Sequence, residues 1–156
     1  MLAERAAFGT LNARVAKMIE EAEGRPRPVW IVEDEPTVGK LAAEICEGAG
    51  ALPTIFRAPL PFLLALRGSS MPEAIILDWR LENELSSGLF LAARHRYSGM
   101  PVIYWTNSPE TLPAMIRDDA LTLVADKQGG VEALERALGW AFGHRRPTYG
   151  QSPDSA

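Results

Sequence analysis

Ala74-Ile75-Ile76-Leu77-Asp78-Trp79 is the stretch on which the fold turns. Four apolar residues run without polar alternation into a carboxylate, the pattern of a short strand buried on both faces whose end meets solvent. Reading outward, runs of the same size recur at residues 29–32, 53–56, 102–105 and 121–125, most of them rich in β-branched or large apolar residues. Longer amphipathic stretches lie between them, near residues 38–48, 61–67, 88–97, 112–119 and 131–142. Gly48 and Gly50 end the first of these, and Pro72, Gly99 and Pro101 punctuate later connections. Strand and helix thus alternate five times, which predicts an α/β fold built on a five-stranded doubly wound parallel sheet.

The chain of 156 residues, 47% hydrophobic, is sized for one core. Its formal net charge of −4 argues against a protein that holds nucleic acid by neutralising phosphates. The single cysteine, Cys46, shares an apolar helix face with Leu41 and Ala42 and reads as a buried thiol. His95 and His144 fall at helix surface positions and form no metal cluster with it. Charges scattered through residues 1–21 exclude a signal peptide and a membrane span, so a cytoplasmic protein is expected. Three parts follow. Residues 1–27 are an extra N-terminal amphipathic helix with an apolar stripe of Ala7, Leu11, Val15 and Met18, then a linker. Residues 28–144 are the α/β domain, and residues 145–156 a polar, proline-containing tail expected to be disordered.

In such a sheet the functional loops lie at the carboxyl ends of the strands, beside the switch point in strand order. The polar residues at those ends are Glu33, Asp34 and Glu35, then Asp78, Thr106, and Asp126 with Lys127. Carboxylates crowded at one edge repel each other, and a divalent cation relieves that repulsion. Magnesium favours hard oxygens and takes one or two carboxylates with water, so Asp34 and Asp78 suit it as ligands, with Glu33 acting through water. An aspartate can also be a nucleophile that carries an acyl phosphate when nearby charge neutralises the group. Lys127 would supply that charge and Thr106 a hydrogen bond. Singly, each has an ordinary reading: Asp34 or Glu35 before Pro36 as a helix start, Lys127 as a solvated lysine, Thr106 as a strand-end hydroxyl. The weight rests on their order across four strand ends.

Over residues 28–143 the sequence resembles the receiver domains of two-component response regulators, of the single-domain, chemotaxis-regulator-like kind with a flavodoxin-like fold. Val29-Trp30-Ile31-Val32-Glu33-Asp34-Glu35-Pro36 is similar to the first strand and acidic pair, and the Asp78 stretch to the phosphoacceptor strand. Pro101-Val102-Ile103-Tyr104-Trp105-Thr106 is similar to the strand that ends in the switch hydroxyl, and Asp126-Lys127 falls at the lysine. The resemblance implies that Asp78 accepts phosphate from a histidine kinase or phosphotransfer protein. It also implies that Asp34, Asp78 and the backbone carbonyl of Arg80 bind Mg2+ with Glu33 assisting, and that Thr106 and Lys127 complete the site.

The sequence departs from that pattern in four places. Gly88 lies ten positions after Asp78, with no proline between residues 80 and 87, so that loop has a different shape. Gln128 replaces the proline after Lys127, Val124 stands where many receivers keep a mobile aromatic, and Asn107 replaces a small residue after Thr106. Arg80 either shields an acyl phosphate or pairs with Glu82, and Trp79 reads as a packing residue. Output would go to a downstream protein partner through the last helix, where at about 100° per residue Trp140 points roughly opposite Val131, Leu134, Leu138 and Ala141, or through the N-terminal helix, with homodimerisation a further route. Two rivals remain: a phosphate-independent pseudo-receiver, and an aspartate-nucleophile phosphatase, which lacks a second aspartate two residues after Asp78.

Overall fold

A computed structural model describes residue 24 and residues 26–81 and 84–144. The N-terminal stripe and the tail lie outside the described residues. The elements run β1 (Arg27–Val32), α1 (Pro36–Gly48), β2 (Ala51–Phe56), α2 (Pro59–Leu66), β3 (Ala74–Leu77), β4 (Arg80–Leu81), β5 (Glu84–Leu85), α3 (Ser87–Arg96), β6 (Val102–Thr106), α4 (Ala114–Arg117), β7 (Thr122–Asp126) and α5 (Gly130–His144). Five strands form one parallel sheet in the order β2-β1-β3-β6-β7. The order reverses between β1 and β3, which is the switch point.

Period-two alternation sends each strand's side chains to two different cores. On one face Val29, Ile31, Ile76, Ile103 and Trp105 pack against α1 and α5 through Ala42, Cys46, Leu134 and Leu138. On the other, Trp30, Val32, Ile75, Leu77 and Tyr104 pack against α2, α3 and α4 through Phe62, Phe90 and Ile116. All four residues of β3 are buried, as its lack of polar alternation requires. Pro36 starts α1 in the first turn, where its missing N–H costs nothing, and Gly50 takes φ 82° at the turn into β2.

Three elements differ from the sequence reading. The fourth helix is one turn, Ala114–Arg117, because Leu112 precedes Pro113 and is held extended at φ −66°, ψ 135°. A short 3-10 turn at Pro109–Thr111 fills the space before it. After Asp78 the chain forms an antiparallel hairpin, with Arg80 opposite Leu85 and Leu81 opposite Glu84. Trp140 does not point away from the core: it is half-buried against the α1/α5 side of the sheet and stacks on His144 at 4.9 Å. At the amino-terminal rim of the sheet Arg94 ties three segments together. Its guanidinium donates to the Met100 carbonyl at 2.6 Å and to Asp119 Oδ2 at 2.7 Å, and the same carboxylate oxygen accepts from Thr122 Oγ1 at 2.7 Å.

Candidate functional site

The switch point brings the ends of β1 and β3 side by side, and the backbone fixes their side chains. The Glu33 N–H donates to the Phe56 carbonyl at 3.0 Å and the Asp78 N–H to the Val32 carbonyl at 3.2 Å, so both carboxylates leave the sheet from hydrogen-bonded backbone. Glu33 is buried, while Asp34 and Asp78 are partly open to solvent. One carboxylate oxygen from each of the three lies within 4.8 Å of the others.

Lys127 enters from the end of β7. Asp126 caps the following 3-10 turn by accepting from the Gln128 N–H at 2.8 Å, which fixes the backbone at the lysine. The Lys127 ammonium then sits 2.8 Å from Glu33 Oε1 and 3.1 Å from Asp78 Oδ2, and 5.4 Å from the centre of the Trp105 ring. One ammonium bridges two carboxyl groups, with Asp34 close by. Burial pushes the Glu33 carboxyl up from 4.5 to about 7, and the Asp78 charge adds to the rise while the Lys127 hydrogen bond opposes it.

Thr106 ends β6 in a buried position, and its hydroxyl oxygen accepts from the Ser108 N–H at 3.1 Å. Asn107 and Glu35 are exposed. Arg80 is exposed in the hairpin after the acceptor, and its pairing with Glu82 lies outside the described residues. The Ser86 N–H donates to the Trp79 carbonyl at 2.9 Å. By antiparallel alternation the next pair, Arg80 and Leu85, is then of the non-hydrogen-bonded kind, which keeps the Arg80 carbonyl out of the ladder.

The residues present suit a hard divalent cation. Three carboxylate oxygens already span roughly one octahedral shell, which is about 4.2 Å across for magnesium. The ammonium bridging Glu33 and Asp78 shows that this pocket accepts positive charge between those two groups.

Sequence reasoning passed over a buried polar link beside the site. Tyr104, fully buried, has its hydroxyl 3.2 Å from Ser86 Oγ, and its ring packs edge-on against Trp79 at 6.1 Å. Burial raises the Tyr104 phenol well above its ordinary range, so it remains a neutral hydroxyl. The available signal was the spacing of Tyr104 and Thr106, two apart on one strand and hence on one face.

A parallel five-stranded sheet with an acidic pocket at its switch point defines the receiver class of fold. Among solved structures the chain is similar to a response regulator receiver protein from Sinorhizobium medicae, with TM-score 0.67 at 14% identity over 78% of this chain and 98% of that one. It is similar to a response regulator receiver domain protein from Bacillus halodurans, with TM-score 0.64 at 18% identity over 79% and 99%. It is also similar to the chemotaxis response regulator CheY4 of Vibrio cholerae, with TM-score 0.64 at 18% identity over 75% and 99%. The flavodoxin-like receiver fold is thereby established for this chain. The sequence matches no protein-family profile and no curated protein.

Proposed function

We propose that the protein is a signalling switch that accepts a phosphoryl group on Asp78 from a phosphohistidine donor. The observation that carries this reading is the Lys127 ammonium, bonded to Asp78 Oδ2 and to the buried Glu33 at the strand edge. In the reaction an Asp78 oxygen attacks phosphorus, the P–N bond to the donor imidazole breaks, and its electron pair leaves with the nitrogen, which takes a proton from solvent. Lys127 offers its charge to the transferring oxygens, a group whose charge it meets as the bond forms. Thr106 would exchange its Ser108 bond for a phosphoryl oxygen.

Glu33, Asp34, Asp78 and the carbonyl of Arg80 are the groups that would hold Mg2+, which when bound neutralises the charge brought by the phosphoryl group. Glu33 holds the Lys127 ammonium and is readily protonated, so to assist the ion it would have to release one or the other. The histidine kinase or phosphotransfer protein that serves as donor, and the protein that reads the product, are partners this reading requires. The receiver fold supports a response regulator signalling role.

The test is incubation with acetyl phosphate and Mg2+ followed by intact mass. Wild type should gain one phosphoryl group and Asp78→Asn none. An unmodified wild type, under conditions that modify a control receiver, overturns the reading and leaves the phosphate-independent module. That rival is favoured by one feature, the contraction of α4 to a single turn, which removes a surface through which β6 could signal.

A further inference from the structure

The face of the sheet under α2 is left uncovered at its lower end. Phe56, at the upper end of β2, is covered by Phe62 of α2, with the rings 5.8 Å apart. Leu52, four residues earlier and so on the same face, is 57% exposed. The cause is length. An eight-residue helix is about 12 Å long and a six-residue strand about 20 Å, so α2 cannot span β2. Its exit is also drawn toward α3, since Arg96 Nε donates to the Leu66 carbonyl at 2.9 Å and the Tyr97 hydroxyl to the Ser70 carbonyl at 3.2 Å.

The uncovered area continues along the rim. Leu52 is in register with Pro28 of β1, one strand spacing of about 4.8 Å away. On the other side of Pro28 the Glu73 N–H donates to the Pro28 carbonyl at 2.7 Å, so Glu73, 3.9 Å from the Arg27 guanidinium, borders the apolar area there, and Met71, 53% exposed, precedes it by two residues. Leu52 and Pro28 thus form a short apolar strip at the amino ends of the strands, the rim opposite Asp78, bordered by Glu73.

The chain enters the fold at that strip. Arg27, the first residue of β1, pairs with Ala51, and residues 1–23 precede it through Gly24, whose own backbone is α-helical. That segment carries Ala7, Leu11, Val15 and Met18 at helical spacing. As a helix the stripe would be about 18 Å long, and the eight residues from 19 to 26 reach at most about 27 Å. A tether this short holds the stripe at an effective concentration on the order of millimolar beside the strip, which no untethered occupant matches.

We propose that the segment of residues 1–23 docks its apolar stripe on the Leu52–Pro28 strip of its own chain, with Met18 and Val15 nearest the rim. This docking is independent of the phosphoryl reading, because the strip lies at the far ends of the strands. The full chain carrying Met18→Cys with Leu52→Cys, oxidised with copper phenanthroline, should form a disulfide within one chain, seen by intact mass and non-reducing gel. Cys46 stays out of the reaction, being buried with its thiol pushed up to about 12. Met18→Cys with Val131→Cys, exposed on α5, should remain reduced. In the same full chain Leu52→Asp should raise amide exchange over residues 7–18 by about tenfold or more while leaving phosphoryl acceptance unchanged. A disulfide between two chains overturns the proposal in favour of a second copy. Failure to cross-link, with exchange over residues 7–18 unaffected by Leu52→Asp, overturns it in favour of an undocked segment.

Discussion

Two clusters in this molecule set a cation against carboxylate, and they do opposite things. At the amino-terminal rim Arg94 shares its donors among Asp119 and the carbonyls of Met100, Ser98 and Leu121, and the carboxylate is further met by the Leu121 N–H and the Thr122 hydroxyl. Charge is balanced one to one. At the carboxyl-terminal rim Lys127 faces Glu33 and Asp78 with Asp34 alongside, and Glu33 is driven up to about 7 as a result of its burial. The first arrangement pairs its charges and holds the fold, with the buried Arg94 Nε left without a hydrogen-bond partner among the described residues. The second has an excess of carboxylate that more positive charge would relieve, the condition for binding a cation or meeting a phosphoryl group.

The sharpest way to break this contrast is to remove each cation. Arg94→Met leaves Asp119 without its partner and several carbonyls without donors, and should lower unfolding stability by about 2–4 kcal/mol, read from the urea midpoint. Phosphoryl acceptance by the folded fraction should be unchanged. Lys127→Met should do the reverse. Glu33 can take up a proton, so stability at about pH 6 should change by less than about 1 kcal/mol, while acceptance from acetyl phosphate should slow by roughly a hundredfold or more. If Lys127→Met proves the more destabilising of the two, the contrast between the clusters is lost.

A smaller effect separates them by pH. Glu33 titrates at 4.5 when unfolded and at about 7 in the fold. Between those values the folded protein holds a proton that the unfolded chain has released, so the stability from this group is full below the lower value and is lost as pH rises through the upper one. The metal-free domain should therefore weaken from about pH 5 to about pH 8, and Glu33→Gln should flatten that slope. Mg2+ should restore stability increasingly toward the alkaline end, where it no longer competes with the proton. The smallest change is expected at Tyr104→Phe, which leaves the buried Ser86 hydroxyl without its partner. It should cost about 1–2 kcal/mol and alter Trp79 fluorescence through the shared ring contact.

Much of the fold could be read without coordinates because its strands are buried on both faces. A continuous apolar run such as β3 has one stable environment, so its position was legible to the residue. Helix length was less so. The stretch after Thr106 carries apolar residues at helical spacing, but Pro113 sets the backbone before it, and only one turn forms. The hairpin after Asp78 was illegible because β4 and β5 have two residues each, too few for any period. Trp140 misled because the angle around a helix does not say how far neighbouring segments wrap it.

The amino-acid sequence on its own determined the order of elements and the chemical inventory at the strand ends, since period and burial act over a few neighbouring residues. It could not determine that Lys127 meets Glu33 and Asp78 at 2.8 and 3.1 Å, nor that α2 falls short of Leu52. Those outcomes belong to the tertiary structure. They depend on how segments 49 and 94 positions apart are brought together by the sheet, and on the length of one helix relative to the strand beneath it.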